Sequence, residues 1–210
     1  MSVVIAIDGP AASGKGTLAR RIAAHLGHAH LDTGLLYRAV ARAMLDRGLL
    51  LTDEAAALEV AESLDPARLD ESRLRDATMG EAASVVSVHA GVRQALLGVQ
   101  RRFAARPGGA VLDGRDIGTV VCPEADVKLF VTASAEERAR RRHGELLRKG
   151  ETVSFEEVLA DIRGRDERDA QRAAAPLRAA PDALILDTTH LDQDGAFASA
   201  LELVGAGRAG

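Results

Sequence analysis

Residues Gly9, Pro10, Ala11, Ala12, Ser13, Gly14, Lys15, Gly16 and Thr17 have the types and spacing to hold a polyphosphate. Glycines let the backbone curl until successive N–H groups point inward at phosphate oxygens. Lys15 adds a point charge for the β- and γ-phosphates. The pattern G-x-x-x-x-G-K gains weight where a strand precedes it and a helix follows. Here the apolar, β-branched run Val3–Asp8 precedes it, and Leu18–His25 reads as helix. The start of that helix adds orphan donors and a positive dipole end. The residue after Lys15 is Gly16, where a Ser or Thr usually ligates Mg²⁺, and the hydroxyl comes one place later at Thr17. Mg²⁺ is therefore expected to be held by phosphate oxygens and water.

Three further stretches carry polar chemistry. Asp32-Thr-Gly-Leu-Leu-Tyr-Arg38 opens a helix: Thr33 is placed to cap it, and Gly34 permits close backbone approach. Arg38, one turn in, is a candidate clamp for a second phosphate. Tyr37 is the single tyrosine of the chain, and its position suits core packing as well as a site. Asp113-Gly-Arg-Asp-Ile-Gly-Thr119 sets two carboxylates and an arginine on a glycine-bounded turn, as a loop salt bridge or a binding loop. Late in the chain, Glu136–Arg142 and Arg163–Arg172 are rich in arginine. Arg165, Arg168, Asp169 and Arg172 fall at i, i+3, i+4 and i+7 and share one helical face. Such a face is ordinarily solvated; beside a phosphate loop it reads as a lid that closes on transferring phosphates.

Five apolar runs read as buried strands: Val3–Asp8, Ala29–Asp32, Ala110–Asp113, Val127–Thr132 and Ala183–Asp187. Helical patterns lie between them, at Lys15–Leu26, Leu35–Asp46, Asp53–Ser63, Glu71–Ser87, Val92–Ala105, Ala135–Arg148, Ser154–Arg172 and Gly195–Val204. Ser154 with Glu157 has the form of a capping box. The Gly-rich ending reads as a frayed tail. The alternation predicts an α/β fold, a five-stranded parallel sheet with helices on both faces. Ligands gather at the carboxyl ends of such strands, where Asp8, Asp32 and Asp113 stand.

Composition narrows the partners. A net charge of −4 argues against bulk nucleic-acid binding. No apolar run reaches membrane-spanning length, and the first residues lack a basic leader. Cys122 is the single cysteine, which excludes an internal disulfide and suits a reducing compartment; it reads as a small buried residue. The expectation is one soluble, cytoplasmic domain over residues 1–210, a monomer with no nucleic-acid or membrane partner.

Together the motifs closely resemble the bacterial cytidylate kinases, a family of nucleoside monophosphate kinases. The matching stretches are I-D-G-P-x-x-S-G-K-G-T, L-D-T-G-x-x-Y-R, Ala82-Ala83-Ser84 with Val92-Arg93, D-G-R-D-I-G-T, and R-D-x-R-D-x-x-R with Ala175-Pro-Leu177. They run in order from Ile7 to Leu177. The resemblance implies transfer of the γ-phosphoryl group of ATP, with Mg²⁺, to CMP or dCMP in pyrimidine nucleotide metabolism. It implies that Gly9 to Thr17 hold ATP and that Arg38, Arg115 and Arg172 anchor the acceptor phosphate. Ser84, Arg93 and Asp116 are similar to residues that read cytosine, and Arg165 and Asp169 to residues at the sugar. Thr33 and Tyr37 join this acceptor-binding group. Lys15, Arg115, Arg168 and Arg172 would carry the catalytic charge, Arg168 and the arginines near Arg141 from the lid.

The implied regions are an acceptor-binding insertion over 34–107, helical here, and a lid over 135–172. Members of the family usually carry an antiparallel sheet in the acceptor region. Leu64–Ala83 is short, polar and without β-alternation, so that insert reads as lost. His89-Ala-Gly91 also departs from the Pro and Arg usual there. Rival readings are a phosphate-loop kinase for another acceptor, such as a sugar acid or dephospho-coenzyme A, and a GTP-dependent switch. The switch needs an N-K-x-D motif to read guanine, and the chain contains no Asn.

Overall fold

The first strand, β1 (Val4–Asp8), is buried from Ile5 onward, as a strand covered on both faces must be. The computed structural model describes residues 2–66, 69–75 and 77–207. With β2 (Ala29–Asp32), β3 (Ala110–Gly114), β4 (Val127–Thr132) and β5 (Leu184–Asp187), β1 forms a sheet of order β2-β3-β1-β4-β5. β1 pairs in parallel with β3, Ile7 opposite Asp113, and with β4, Ile7 opposite Leu129. β4 pairs in parallel with β5. The chain winds outward in opposite senses from β1, so the carboxyl end of that strand is a topological switch point. The expected parallel α/β sheet is the one observed.

The chain divides into two units, Met1–Leu31 with Ala104–Gly210, and Asp32–Phe103. In the first, α1 (Lys15–Leu26) and α9 (Gln193–Gly207) pack on the sheet. Leu18 and Ile22, one turn apart on α1, join Ile5, Ile7, Val111, Leu129 and Val131 in its core, with Ala200 and Val204 from α9. Burying each such aliphatic side chain is worth about 1.5–3 kcal/mol. α1 ends at Gly27, whose left-handed φ of 67° permits a cap N–H bond to Ala23 and Ala24 carbonyls. α9 continues to Gly207, past the expected start of a frayed tail. The helix end lies against the strands, with a Cβ at Gly207 falling within ordinary contact distance of Val127 and Leu184. Arg208–Gly210 lie outside the described residues.

The second unit is helical: α2 (Thr33–Asp46), α3 (Glu54–Glu62), α4 (Glu71–Leu74), α5 (Ala77–Val86) and α6 (Ala90–Ala104), the last running one residue past it. Leu36, Val40 and Met44 form a stripe at i, i+4 and i+8 on α2, packed against Val60, Met79, Val86, Val92 and Leu96. Among the described residues of 33–103 there is no strand. Among described helices, no single one is long and apolar enough to cross a membrane.

Three local expectations need correction. The single helix Glu71–Ser87 is two: Arg75 leaves helical geometry (φ −104°, ψ 18°), and Asp76 lies outside the described residues, as do Ala67 and Arg68 of the short segment. Thr33 is not the cap of α2. β2 runs straight into the helix, so Asp32 is the last extended residue, and its carboxylate turns to Arg75 at 3.3 Å. Finally, Ile117–Val121 is a π-helical turn, with the Cys122 N–H donating to the Ile117 carbonyl at 2.7 Å. That turn leaves Cys122 partly exposed rather than buried.

Gly9 marks the tightest approach in the sheet. Its φ is 153°, and a Cβ there would stand 2.0 Å from the Val131 carbonyl oxygen of β4. Gly9→Ala should therefore destabilise by about 3 kcal/mol or more in urea unfolding, from strain together with backbone clash. Gly108 has φ 89° with open space where a methyl group would stand, so Gly108→Ala should cost only about 1–2 kcal/mol.

Candidate functional site

The phosphate loop leaves β1 at Asp8 and enters α1 at Lys15. Two left-handed residues bend it, Ala12 (φ 58°) and Gly14 (φ 88°). Its carbonyls are anchored from behind: Arg138 Nη1 donates to the Ala11 carbonyl at 3.2 Å, and Thr188 Oγ1 donates to that of Ser13 at 3.2 Å. Lys15 is buried, and its Nζ donates to the Pro10 carbonyl at 3.2 Å, which keeps the ammonium inside the loop. Thr17 is exposed at the start of α1.

Two basic helices stand beside this loop in the same unit. α7 (Ala135–Arg148) is capped by Ser134, which accepts from the Glu137 N–H, and α8 (Phe155–Gln171) by the full Ser154–Glu157 box foreseen from sequence. The basic cluster on α7 separates by face. Arg140 points out, whereas Arg138 and Arg141, three residues apart, turn inward. Arg138 grips Asp166 of α8 with both Nη atoms, at 2.9 and 2.6 Å, and donates Nε to the Ala133 carbonyl at 2.9 Å. Arg141 donates to Thr188 Oγ1 at 3.0 Å. In sequence these arginines form one basic cluster, and only the i, i+3 spacing of Arg138 and Arg141 signals this division of labour.

The turn after β3 supplies the remaining groups of this unit. Asp113 Oδ2 lies 2.7 Å from His30 Nε2, and its Oδ1 is 3.6 Å from where a side chain on Gly16 would begin. Arg115 Nε donates to Asp169 Oδ2 at 2.8 Å, and Arg172 Nη1 stands 3.8 Å from Asp169 Oδ1. Burial pushes the Asp169 carboxyl up, but Arg115, Arg172 and Arg165 outweigh it and hold the group below its ordinary value. Asp169 is thus the carboxylate that gathers Arg115 and Arg172. Arg172 is the C-terminal cap of α8 rather than a helical residue, so the i+7 register to Arg165 breaks at its last member. Arg165 and Arg168 are half-buried along α8.

Asp8 behaves differently from Asp169. Its carboxylate is buried and accepts two backbone bonds of 2.7 Å, Oδ1 from the Ile117 N–H and Oδ2 from the Gly118 N–H. Burial outweighs those bonds and raises its pKa to about 6, with Asp116 adding to the rise and Lys15 opposing it.

In the second unit the structure brings together Tyr37, Ser84 and Arg93. The Arg93 guanidinium lies 5.5 Å from the Tyr37 ring centroid, a cation–π distance, and donates to the Ser87 carbonyl at 3.3 Å. Ser87 Oγ in turn donates to the Ser84 carbonyl at 2.9 Å. Tyr37 is therefore both a core residue and a platform for Arg93. Arg38 donates to the Leu74 carbonyl at 3.2 Å, and Thr33 is buried.

Residues 5–205 match the family model for cytidylate kinase. A cytidylate kinase of Xanthobacter autotrophicus is 66% identical over 99% of this chain and 100% of its own length. One from Rhodopseudomonas palustris is 60% identical over 99% of this chain and 98% of its own. Among solved structures, a sugar kinase from Janibacter sp. aligns with a TM-score of 0.53 at 16% identity, covering 100% of this chain and 98% of its own, a likeness of fold alone.

The Asp169 cluster gives a stability signature. Its lowered pKa means that the ionised form contributes stability above the unfolded value near 3.8, lost as pH falls through the depressed folded value. Asp169→Asn should lose about 2–3 kcal/mol at pH 7, the lower end for a broken buried pair because Arg115 keeps some water. The gap between variant and parent in urea unfolding should narrow at about pH 3.

Proposed function

Because this chain belongs to the cytidylate kinase family, we infer that it transfers the γ-phosphoryl group of ATP to CMP or dCMP, giving CDP or dCDP and ADP. The observation that carries the site reading is the meeting of Arg115, Asp169 and Arg172 in the unit that holds the phosphate loop.

Gly9, Pro10, Ala11, Ala12, Ser13, Gly14, Lys15, Gly16 and Thr17 bind the triphosphate. Their backbone N–H groups and the Lys15 ammonium neutralise its charge without covalent chemistry. Position 16 offers no hydroxyl, so phosphate oxygens and water would hold Mg²⁺, which supplies further neutralisation when bound. Arg38, Arg115 and Arg172 orient the acceptor phosphate for in-line attack. That phosphate is already an anion near neutral pH, so no general base is required, and positioning with charge neutralisation does the work. Arg168 adds charge from α8. Ser84, Arg93 and Asp116 read the cytosine ring, Arg165 and Asp169 the sugar, and Thr33 and Tyr37 support the acceptor. Residues 34–107 form the acceptor-binding region and 135–172 the segment that closes over the phosphates. The protein acts as a monomer, and its single cysteine suits a reducing, cytoplasmic compartment.

Two measurements test this reading. Lys15→Ala should lower kcat by at least about 10²-fold, the effect of losing a transition-state charge, with little change in melting temperature. A variant with full kcat removes the phosphate-loop assignment. The second concerns the base. Cytosine presents an N4 amine donor beside an N3 acceptor, suited to a carboxylate next to a guanidinium, and uracil reverses both. Sites built on polar pairs reject a mismatched partner by up to about 10⁴-fold. Asp116→Asn should lower kcat/KM for CMP while UMP activity falls little or rises. An equal fall for both nucleotides places base reading elsewhere.

A further inference from the structure

Asp8 is not among the residues assigned above, yet its surroundings are those of a working group. It ends the central strand, its side chain is buried, and both its oxygens are committed to consecutive N–H groups, those of Ile117 and Gly118. These are the opening N–H groups of the π-helical turn, which the turn itself cannot satisfy. Directly before them stands Asp116, whose carbonyl accepts from Val120 at 2.9 Å and Val121 at 3.1 Å. Arg115, one residue further back, holds Asp169. The carboxylate of Asp8 is therefore the clamp at the hinge between a strand end and the turn that presents Arg115 and Asp116. Gly118 fits closely under it: an added Cβ would stand 3.2 Å from Lys128 Cδ and 3.4 Å from Asp8 Oδ2.

We propose that Asp8 is a positioning residue for base selection: by accepting the Ile117 and Gly118 N–H groups, its carboxylate fixes the turn that points Asp116 at the acceptor base. The proposal rests on the reading of Asp116 as a base-recognition residue.

Chemistry makes this clamp sensitive to protonation. A carboxylate can face two N–H donors, but a carboxylic acid places an O–H against one of them, and that bond is lost. The charged groups around Asp8 are Lys15 from α1, which favours the ionised form, and Asp116, which opposes it. Lys128 on β4 flanks the turn but spends its Nζ on Asp182, at 2.7 and 3.0 Å, and Asp113 on β3 faces His30. With a pKa near 6, the clamp is set at neutral pH and released below it. A raised folded pKa means that Asp8 contributes stability fully below its unfolded value near 3.8, and that this is lost as pH rises through about 6. The ionised clamp thus opposes folding at neutral pH, which is the pattern of a group kept for function rather than for stability.

The experiment measures kcat/KM for CMP and UMP at pH 7.5 and 5.5, in the parent protein, Asp8→Asn and Asp116→Asn. Asn is isosteric and, like the protonated acid, turns a donor toward one N–H. Phosphate titration is alike in the two nucleotides, so it cancels from the CMP/UMP ratio. In the parent protein that ratio should fall about fourfold between pH 7.5 and 5.5, following the ionised fraction of a group with a pKa near 6. In Asp8→Asn it should be at least about tenfold lower at pH 7.5 and show no such pH dependence. KM for CMP should rise at least about tenfold while KM for ATP changes by less than about threefold, whereas general loosening would raise both. A flat ratio in the parent protein overturns the proposal even where Asp8→Asn fails to fold. So does an Asp8→Asn ratio that stays high, or one that keeps the parent's pH dependence. If Asp116→Asn lowers the ratio and Asp8→Asn does not, only the positioning role falls. If Asp116→Asn leaves the ratio unchanged, base reading at Asp116 falls first and the clamp with it.

Discussion

The buried guanidinium of Arg138 is the contact on which the nucleotide-binding unit depends. Its donors reach three separate segments: the Ala133 carbonyl after β4, the Ala11 carbonyl in the phosphate loop, and the Asp166 carboxylate on α8. A loop that turns its N–H groups inward must turn carbonyls outward, and buried carbonyls need donors. Arg138 supplies one such donor, and Thr188 another behind Ser13. The left-handed Ala12, costly for a residue with a Cβ, sits between these two anchors. The loop's shape is thus imposed from outside as much as by its glycines.

The same contact constrains the reading of α7 and α8 as a closing segment. Asp166 is tied bidentately to Arg138, and Arg163 of α8 pairs with Glu136 at 2.8 Å. The two helices are therefore one hairpin, and the hairpin is pinned to the phosphate loop at its base. Closure compatible with these bonds pivots about Arg138 and leaves the base in place. Breaking the Arg138–Asp166 pair would leave the buried Arg138 charge stranded at a cost of about 2–3 kcal/mol, reduced because Asp166 keeps some water, yet above what surface pairs such as Arg142–Glu145 contribute. This separates the arginines of α7 by purpose: Arg138 is architectural, whereas Arg140 pairs with Glu137 at the surface.

Much of this was legible in the sequence because it is local. The strands were bounded by apolar runs, α1 by its glycines, and α8 by a capping box, so short-range chemistry sufficed. What was not legible depends on pairing at a distance. Thr33 looked like a cap, but whether a strand runs directly into a helix is decided by the sheet, which made Asp32 the last extended residue. The π-helical turn at Ile117–Val121 carries no propensity signal; its N–H groups are satisfied by Asp8, more than 100 residues earlier. Asp8 was placed at the correct strand edge, but its partner could not be read. The resemblance groups Arg115 with Arg172 but sets Asp169 at the sugar, so the pairing of Asp169 with both arginines was not legible, and helical spacing alone is equally that of a solvated face. The likeness to cytidylate kinases covered what periodicity could not.

A site for anions that also contains buried carboxylates poses an electrostatic question, and the partners of each carboxylate answer it. Asp8 is met by two backbone N–H groups, Asp113 by His30, and Asp169 by Arg115 and Arg172. Arginines gathered on one carboxylate are already desolvated and already oriented. A phosphate bound as proposed at Arg115 and Arg172 would meet donors whose rotamer entropy is largely spent, which is preorganisation in the sense that matters for transfer. The carboxylate also keeps two guanidinium groups from repelling one another while no phosphate is bound. Net charge at the site is therefore a poor guide to its affinity for phosphate, and the chain's overall −4 is compatible with a phosphate enzyme. What decides affinity is which donors remain aimed at the phosphate once each carboxylate has taken its share, and here those shares fall on backbone, histidine and the inner edges of two arginines.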